Sequence, residues 1–149
     1  MPDINLRSQL EALLASAAHR MDHFGGAGFG VFFTSQGVYD AIGTVLSGQE
    51  AIEKYYRERD LGPGFVGRHS FTNFTLLEAT GDRAKGLSLL TAFAGSGPGP
   101  HSPIPVLVCD VWDDFVRDRD GRWLIERRVV KAVFGSASGV QDQLSRKTM

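Results

Sequence analysis

Thiols are nearly absent from this sequence. Cys109 is its single cysteine, which excludes an intrachain disulfide and argues against a zinc site. It lies in the apolar run "IPVLVCDV", where a thiol is typically buried and unreactive. Clusters of basic residues are missing as well, since 16 Lys and Arg are balanced by 17 Asp and Glu for a formal net charge of -1. The positive stripe that binds a phosphate backbone is therefore lacking, and we expect no nucleic-acid partner.

Long apolar runs are equally scarce. No stretch approaches the roughly 18 apolar residues of a membrane span, and the N-terminal segment "MPDINLRSQLEALL" lacks the continuous apolar core of a signal peptide. We therefore expect a soluble, cytoplasmic protein that makes no membrane contact. With 149 residues, 42% of them hydrophobic, the chain has the size of one domain with one core. We assign residues 1–134 to this domain and residues 135–149 to a polar, flexible tail.

The motifs of several enzyme classes are also absent. The sequence has no Gly-rich phosphate loop followed by Lys, no Cys-x-x-Cys pair and no Gly-x-Ser-x-Gly elbow. His19 and His23 lie four residues apart on a predicted helix, but no third ligand accompanies them. We expect neither a metal ion nor a cofactor.

Periodic apolar residues predict two helices in the first half of the chain. Residues 4–23 carry apolar side chains at helical spacing, with Asp3 as a candidate N-cap. A Gly-rich segment ends this helix, and two β-prone runs around the turn "TSQG" at residues 34–37 predict a hairpin. Ser47 and Glu50 form a capping box, which predicts a second helix that ends at a Gly-Pro-Gly stop.

The second half of the chain reads as β-sheet. From the Gly-Pro-Gly stop to residue 134 the pattern has period two, interrupted by the turns "TGDR" and "RDGR" and by a Gly- and Pro-rich loop, and it predicts three long antiparallel strands. Two amphipathic helices can cover only one face of such a sheet. The other face must curl around a cavity, pair with another subunit, or do both.

Two titratable residues are the main candidates for chemistry. Asp22 ends the first helix, where the helix dipole disfavours a carboxylate, although nearby basic side chains can also neutralise it in a solvated cluster. His69 opens a strand and shares a face with Phe71 and Asn73, because side chains alternate along a strand. Each residue alone is more often structural. Together they can act, because a histidine becomes an effective general base when a carboxylate holds its other ring nitrogen.

Five features in a fixed order carry a family resemblance. They are a helix that ends in Asp22, a hairpin, and the segments "SGQEAIEKYYRER", "GRHSFTN" and "DFVRDRDGRWLIERRVV". Over about residues 5–134 they resemble the SnoaL-like branch of the nuclear transport factor 2 superfamily. The sequence is most similar there to the group of scytalone dehydratase, bile acid 7α-dehydratase and hexachlorocyclohexane dehydrochlorinase. That group shares a helix Asp and a His-x-x-Thr-Asn segment, which Asp22 and "HSFTN" at residues 69–73 match.

The resemblance implies an α+β fold, in which helices pack against a cone-shaped, strongly curved mixed sheet of the cystatin-like barrel type. The open end of the cone is a ligand pocket, and the outer face of the sheet forms a homodimer. The resemblance also implies that His69 and Asp22 are the catalytic pair. Arg128 matches the family's basic position five residues after Trp123 and would bind a carbonyl or an enolate oxygen, unless it pairs with Asp22 or Asp40. Asn73 is expected to be a hydrogen-bonding strut behind the pair.

The related dehydratases place tyrosines near the pair to assist departure of the hydroxyl group. Here Arg20 and Met21 immediately precede Asp22, so either another tyrosine or a water molecule would have to protonate the departing hydroxyl group. Tyr39, Tyr55 and Tyr56 are the candidates, although two adjacent aromatic residues on a helix also fit core packing.

These observations lead to one main hypothesis and several alternatives. The main hypothesis is a cofactor-independent lyase in which His69, oriented by Asp22, removes a proton α to the carbonyl of a small, largely apolar cyclic or aromatic hydroxy-ketone. The residues expected to contact this substrate are Arg128, Tyr39, Tyr55, Tyr56, Phe71 and Asn73. One alternative is a polyketide cyclase or isomerase that uses the same base. The other is a protein without catalytic activity, either a ligand-binding protein or a partner resembling a dioxygenase β-subunit.

Overall fold

A computed structural model describes residues 4–135. Two helices and six strands make up this part of the chain. The helices are α1 (Ile4–His23) and α2 (Gln49–Arg57), and a short helical turn spans Gly30–Phe32. The strands are β1 (Phe33–Ala41), β2 (Thr44–Ser47), β3 (Phe65–Thr80), β4 (Arg83–Ser96), β5 (Leu107–Arg117) and β6 (Trp123–Gly135). Both Asp3 and the predicted tail, apart from Gly135, lie outside the described residues.

The six strands form one mixed sheet in the order β2-β1-β6-β5-β4-β3. Strand β1 runs parallel to β6, and the remaining neighbours are antiparallel. The sheet curls so that its inner face packs against the helices. The predicted architecture, an α+β fold with a curved mixed sheet and N-terminal helices, is confirmed.

The core lies between α1, α2 and the inner face of the sheet. Leu10 and Leu14 of α1 lie one helical turn apart and are almost fully buried, as are Ile52 of α2 and Phe33 and Phe115 of the sheet. A second buried cluster, made of residues from β1, β4, β5 and β6, lies farther along the same inner face. Tyr39 and Phe71 pack against both clusters and connect them.

The hairpin between β1 and β2 turns at a different place from the one predicted. Residues 34–37 lie inside β1, and the chain reverses at Ile42 and Gly43, which both have positive φ values, 44° and 83°. Two consecutive positive φ values are typical of the two-residue turns that join antiparallel strands. The "TSQG" segment instead coincides with a register shift between Phe33 and Val38 in the pairing of β1 with β6. Its turn-forming composition therefore marks an irregularity of the strand.

The capping box predicted for α2 is wrong. Ser47 is the last residue of β2 and pairs with Val38, so its side chain is not at the cap position. Gly48 occupies that position with φ 97° and offers no side-chain cap. A glycine is suited here because the chain must leave the strand in a left-handed conformation before the helix begins. Only the existence of the helix was predicted correctly.

The number of long strands was also predicted wrongly. The period-two region contains four long antiparallel strands, β3 to β6, where three were expected. The two turns and the loop divide the region into four runs, and each run forms a strand, the first of which is continuous from Phe65 to Thr80. The longer sheet supplies the curvature and the inner surface that enclose the site.

Candidate active site

Asp22 and His69 meet where the end of α1 lies against β3. The Nδ1 atom of His69 is 2.6 Å from Oδ1 of Asp22, and the backbone N–H of His69 donates to Oδ2 of Asp22 at 2.9 Å. Both carboxylate oxygens of Asp22 therefore bind the same residue, His69. Because an ionised carboxylate can only accept hydrogen bonds, this contact places the ring proton on Nδ1 and leaves Nε2 of a neutral ring unprotonated. The side chain of Asp22 is only 8% exposed and that of His69 is 25% exposed, so the pair is largely shielded from water.

His69 also lines a cavity between the two buried clusters. The cavity has a volume of about 70 Å³. Apolar side chains from the helices, β1 and the inner face of the sheet make up most of its wall, with polar groups among them. The wall consists of Ala18, Met21, Phe29, Tyr39, Ala41, Ile42, Tyr56, Arg59, His69, Phe71, Leu90, Ala92, Leu107, Cys109, Arg128 and Val130.

Of the three tyrosines considered, the structure brings Tyr39 and Tyr56 to the cavity. Burial raises the pKa of both phenols, most strongly for Tyr56, and the two hydroxyl groups share a hydrogen bond. Both groups therefore keep their protons at neutral pH. Tyr55 is not part of the wall and packs its ring 5.0 Å from that of Tyr56, against the main core.

Arg128 lines the cavity, whereas Arg127 is exposed on the other face of β6. The partner of Arg128 is Asp113 of β5, directly across the strand pair, with Nε at 2.7 Å and Nη2 at 3.0 Å from the two carboxylate oxygens. Both residues are about 2% exposed. Arg128 does not contact Asp22 or Asp40, and it is Arg127 that lies 3.6 Å from Asp40. Two of the Arg128 donors are thus already occupied.

Asn73 does not share the inner face of β3 with His69 and Phe71. The pairing of β3 with β4 is interrupted between Thr72 and Thr75, and Asn73 adopts a left-handed conformation there with φ 55°. This bulge shifts the alternation by one residue, so Phe74 is buried and Asn73 is exposed. The predicted strut behind the catalytic pair is therefore wrong. Phe71, which precedes the bulge, lines the cavity as expected.

Two charged residues of the site were missed from the sequence. Asp113 could have been found, because it alternates with Cys109, Val111 and Phe115 on the inner face of β5. Arg59 follows α2 by two residues in an irregular segment, and no periodicity predicts the direction of its side chain.

Within the described residues, no group of three or more His, Cys, Asp or Glu side chains is arranged to hold a metal ion. In that same range no helix is long and apolar enough to cross a membrane.

Comparison with solved structures shows that this fold is common. Aln2 from a Streptomyces species is 26% identical, with 98% of each chain covered and a TM-score of 0.74. ActVI-ORFA from Streptomyces coelicolor is 19% identical, with 87% of this chain and 98% of that chain covered and a TM-score of 0.77. A candidate scytalone dehydratase from Novosphingobium aromaticivorans is 18% identical, with 90% and 89% covered and a TM-score of 0.71. A sequence search of curated proteins gives no significant match.

The family is shown by a sequence model. The model of the SnoaL-like domain matches residues 2–129, which is most of the chain. This family includes polyketide cyclases and dehydratases. The chain therefore belongs to the SnoaL-like family of the nuclear transport factor 2-like superfamily, as its sequence motifs predicted.

Proposed function

We propose that this protein is a cofactor-independent lyase of the dehydratase type. Its substrate would be a small, largely apolar cyclic or aromatic hydroxy-ketone, from which it removes a proton α to the carbonyl and then the hydroxyl group as water. The observation that carries this proposal is the double contact between Asp22 and His69 at the wall of a largely apolar cavity. An ion pair with no catalytic role on the protein surface would need neither a buried carboxylate nor an adjoining apolar cavity. The pair of Asp22 and His69 has both.

His69 is the proposed base. Its Nδ1–H donates to Asp22, so Nε2 carries the lone pair that accepts the α-proton from the substrate. When Nε2 takes up this proton the ring becomes an imidazolium, and the adjacent carboxylate stabilises its charge. Asp22 is thus proposed to orient the ring and to favour proton uptake, without itself touching the substrate.

The remaining steps of the reaction need an acid that protonates the departing hydroxyl group. The electron pair of the broken C–H bond forms the enolate, then moves to make the C=C bond as the C–O bond at the β-carbon breaks. We assign the acid to Tyr39, whose phenol is kept neutral by burial and can protonate the departing hydroxyl to release water. The imidazolium returns the abstracted proton to the tyrosinate, directly or through the released water, and the site is restored.

The wall of the cavity favours an apolar ring, because Phe29, Phe71, Leu90 and Leu107 offer apolar surface. Its volume of about 70 Å³ is well below the roughly 300–1,000 Å³ of typical ligand pockets. A ring-sized substrate therefore enters only when wall residues move apart. Met21, Ile42 and Arg59 are among the partly exposed members of the wall, and we expect them to move when the substrate enters.

The proposal can be tested with simple β-hydroxy-ketones. Dehydration of a β-hydroxycyclohexanone gives a conjugated enone, and dehydration of a β-hydroxytetralone gives a naphthol, so both reactions can be followed by ultraviolet absorbance. The wild-type protein should accelerate at least one of them, and His69→Gln should lower the rate by about 10²–10⁴-fold because the base is lost. His101→Gln, which replaces an exposed loop histidine, is the matched control and should keep the full rate. Full activity of His69→Gln would rule out the proposed base.

A polyketide cyclase or isomerase is the second candidate, since the family includes cyclases and the same base serves both reactions. Solvent-deuterium exchange at the α-carbon separates the two. A dehydratase would exchange the α-proton and lose water, whereas a cyclase or isomerase would exchange it and keep the β-hydroxyl. If His69→Gln and wild type exchange at the same background rate on every ketone, the proposed proton abstraction is excluded and a binding protein remains.

A further inference from the structure

Arg59 is the one cation of the cavity wall for which the described residues supply no acidic partner. Its guanidinium carbon lies 4.6 Å from the centre of the Tyr56 ring. Its hydrogen bonds are long: Nε donates to the Tyr56 carbonyl at 3.5 Å, and Nη2 lies 4.0 Å from the Met21 sulfur. Most of its five N–H donors are thus unused by protein atoms.

The contrast with Arg128 shows what is missing. Arg128 has a bidentate carboxylate at hydrogen-bonding distance, whereas among residues 4–135 no Asp or Glu forms an ion pair with Arg59. Burial lowers the pKa of Arg59, and the only groups that counteract this effect are the nearby phenols of Tyr56, Tyr39 and Tyr55. A partly buried cation without an acidic partner is unfavourable, since buried charges are normally paired.

A charge count of the wall leads to the same conclusion. Arg59 and Arg128 contribute two positive charges, and Asp113 neutralises one of them. Asp22 forms no ion pair with Arg59, and its two oxygens accept hydrogen bonds from His69. Among the described residues, Arg59 is therefore the arginine of the wall that has no carboxylate in contact with it, and an arginine fork binds a carboxylate best.

We propose that Arg59 binds an anionic group, a carboxylate, carried by the substrate. The inference rests on the proposed function, since it concerns the same cavity, and it narrows the substrate class to cyclic or aromatic hydroxy-ketone acids. Arg59 would act as a specificity residue that anchors one end of the substrate while His69 acts on the other. This role differs from that expected of Arg128, whose fork is occupied by Asp113.

The test compares carboxylates with their neutral amides, which have nearly the same shape. Binding of benzoate and benzamide, and of the smaller pair isobutyrate and isobutyramide, is measured by calorimetry or by protein NMR titration. In the wild type at least one carboxylate should bind about tenfold or more tightly than its amide. Arg59→Gln should abolish this preference while the variant still binds the amide, which also shows that it is folded. Arg57→Gln, which replaces the exposed last residue of α2, is the matched control and should keep the preference.

The outcomes separate the two proposals. Equal binding of every carboxylate and its amide by the wild type, or a carboxylate preference that survives in Arg59→Gln, would overturn the inference. Arg59→Lys should retain part of the preference, because it keeps the charge but loses the planar fork. The assay needs no turnover. A normal Arg59-dependent preference together with a His69→Gln variant of unchanged activity would count against the proposed function alone, whereas active protein without the preference would count against Arg59 alone.

Discussion

The position of Asp22 is explained by the two hydrogen bonds that its carboxylate accepts. In the last turn of α1 the helix dipole disfavours a carboxylate by roughly 0.3–1 kcal/mol. Each hydrogen bond to a charged group contributes about 1.5–3 kcal/mol, and Asp22 accepts two of them from His69. The local penalty is therefore smaller than the gain from the tertiary contact. The carboxylate also fixes the backbone and the ring of His69 together, which prevents the ring from rotating away from the cavity.

Asp22→Asn should disable the base while leaving the fold intact. The amide oxygen can still accept the backbone N–H of His69, but the amide NH2 then faces Nδ1 and forces the ring proton onto Nε2. A histidine in this tautomer cannot accept the α-proton, so the rate of dehydration should fall on the order of 10³–10⁴-fold. The shift of the ring proton from Nδ1 to Nε2 can be observed directly by ¹⁵N NMR without any substrate.

The control for this variant is Asp82→Asn, which removes the charge of an exposed aspartate paired with Arg117. It should change neither the rate nor the His69 tautomer. If Asp22→Asn kept Nδ1 protonated and the rate unchanged, the carboxylate would have no orienting role.

At the scale of elements, prediction succeeded where one periodic pattern extended over many residues. The apolar stripe of α1 gave its bounds, because Leu10, Leu14 and Ala17 face the core at helical spacing. Prediction from the sequence failed at local irregularities of the backbone. The turn at Ile42 and Gly43 could not be recognised from a β-branched residue that rarely adopts positive φ, and the bulge at Asn73 reversed the direction of the side chains after it. Such features are set by packing of the whole sheet.

The residues of the candidate site divide in the same way, into those that the sequence predicted and those that it did not. Asp22 and His69 were found because a family spacing of 47 residues connects them, and their contact is present. The partner of Arg128 was not found, because Asp113 becomes its neighbour only when β5 pairs with β6 in one particular register. Arg59 has no pattern of its own, and its importance follows from the absence of a nearby acid among the described residues. Charge balance inside a cavity is a property of the folded chain.

The Gly-rich segment between α1 and β1 positions α2, and two adjacent glycines test this role. Gly25 and Gly26 both have positive φ values, 61° and 92°. A Cβ on Gly25 would meet open space, whereas a Cβ on Gly26 would lie 2.7 Å from the backbone oxygen of Tyr56. Gly25→Ala should therefore destabilise the protein only by the conformational cost of about 1–2 kcal/mol. Gly26→Ala should add a steric cost of about 1–3 kcal/mol, because the segment must move away from α2.

Urea unfolding measures both free energies, and Gly25→Ala serves as the matched control. Gly26→Ala should also weaken binding of the probes in the cavity, because Tyr56 is part of the wall. Equal destabilisation by the two variants would mean that the close approach of this segment to α2 has no energetic weight.

At the scale of the whole molecule, the outer face of the sheet carries an apolar row. Leu87, Trp112 and Val129 lie side by side on β4, β5 and β6, and Trp112 is 42% exposed. Rows of opposite charges lie on either side, with Asp110 beside Lys131 on one of them. A face that contains an apolar centre and both signs of charge can be complementary to itself under two-fold symmetry. We propose that a second copy of this chain covers it, forming a homodimer.

Trp112→Asp should convert this dimer into a monomer. On association, a carboxylate at the centre of the apolar row would be buried without a partner, which is unfavourable. The variant would also lose a large part of the contact surface that the Trp112 side chain supplies. Sedimentation equilibrium should give twice the chain mass of 16.2 kDa for the wild type and the single chain mass for the variant at the same micromolar concentration. Ile104→Asp, at a 71% exposed loop position outside the strands, is the matched control and should remain dimeric. A monomeric wild type, or a Trp112→Asp variant that is still dimeric, would show that this face is not the interface.

Because the cavity opens on the inner side of the sheet, the monomeric variant should still bind the carboxylate probes, and loss of that binding would show that the two faces are energetically coupled.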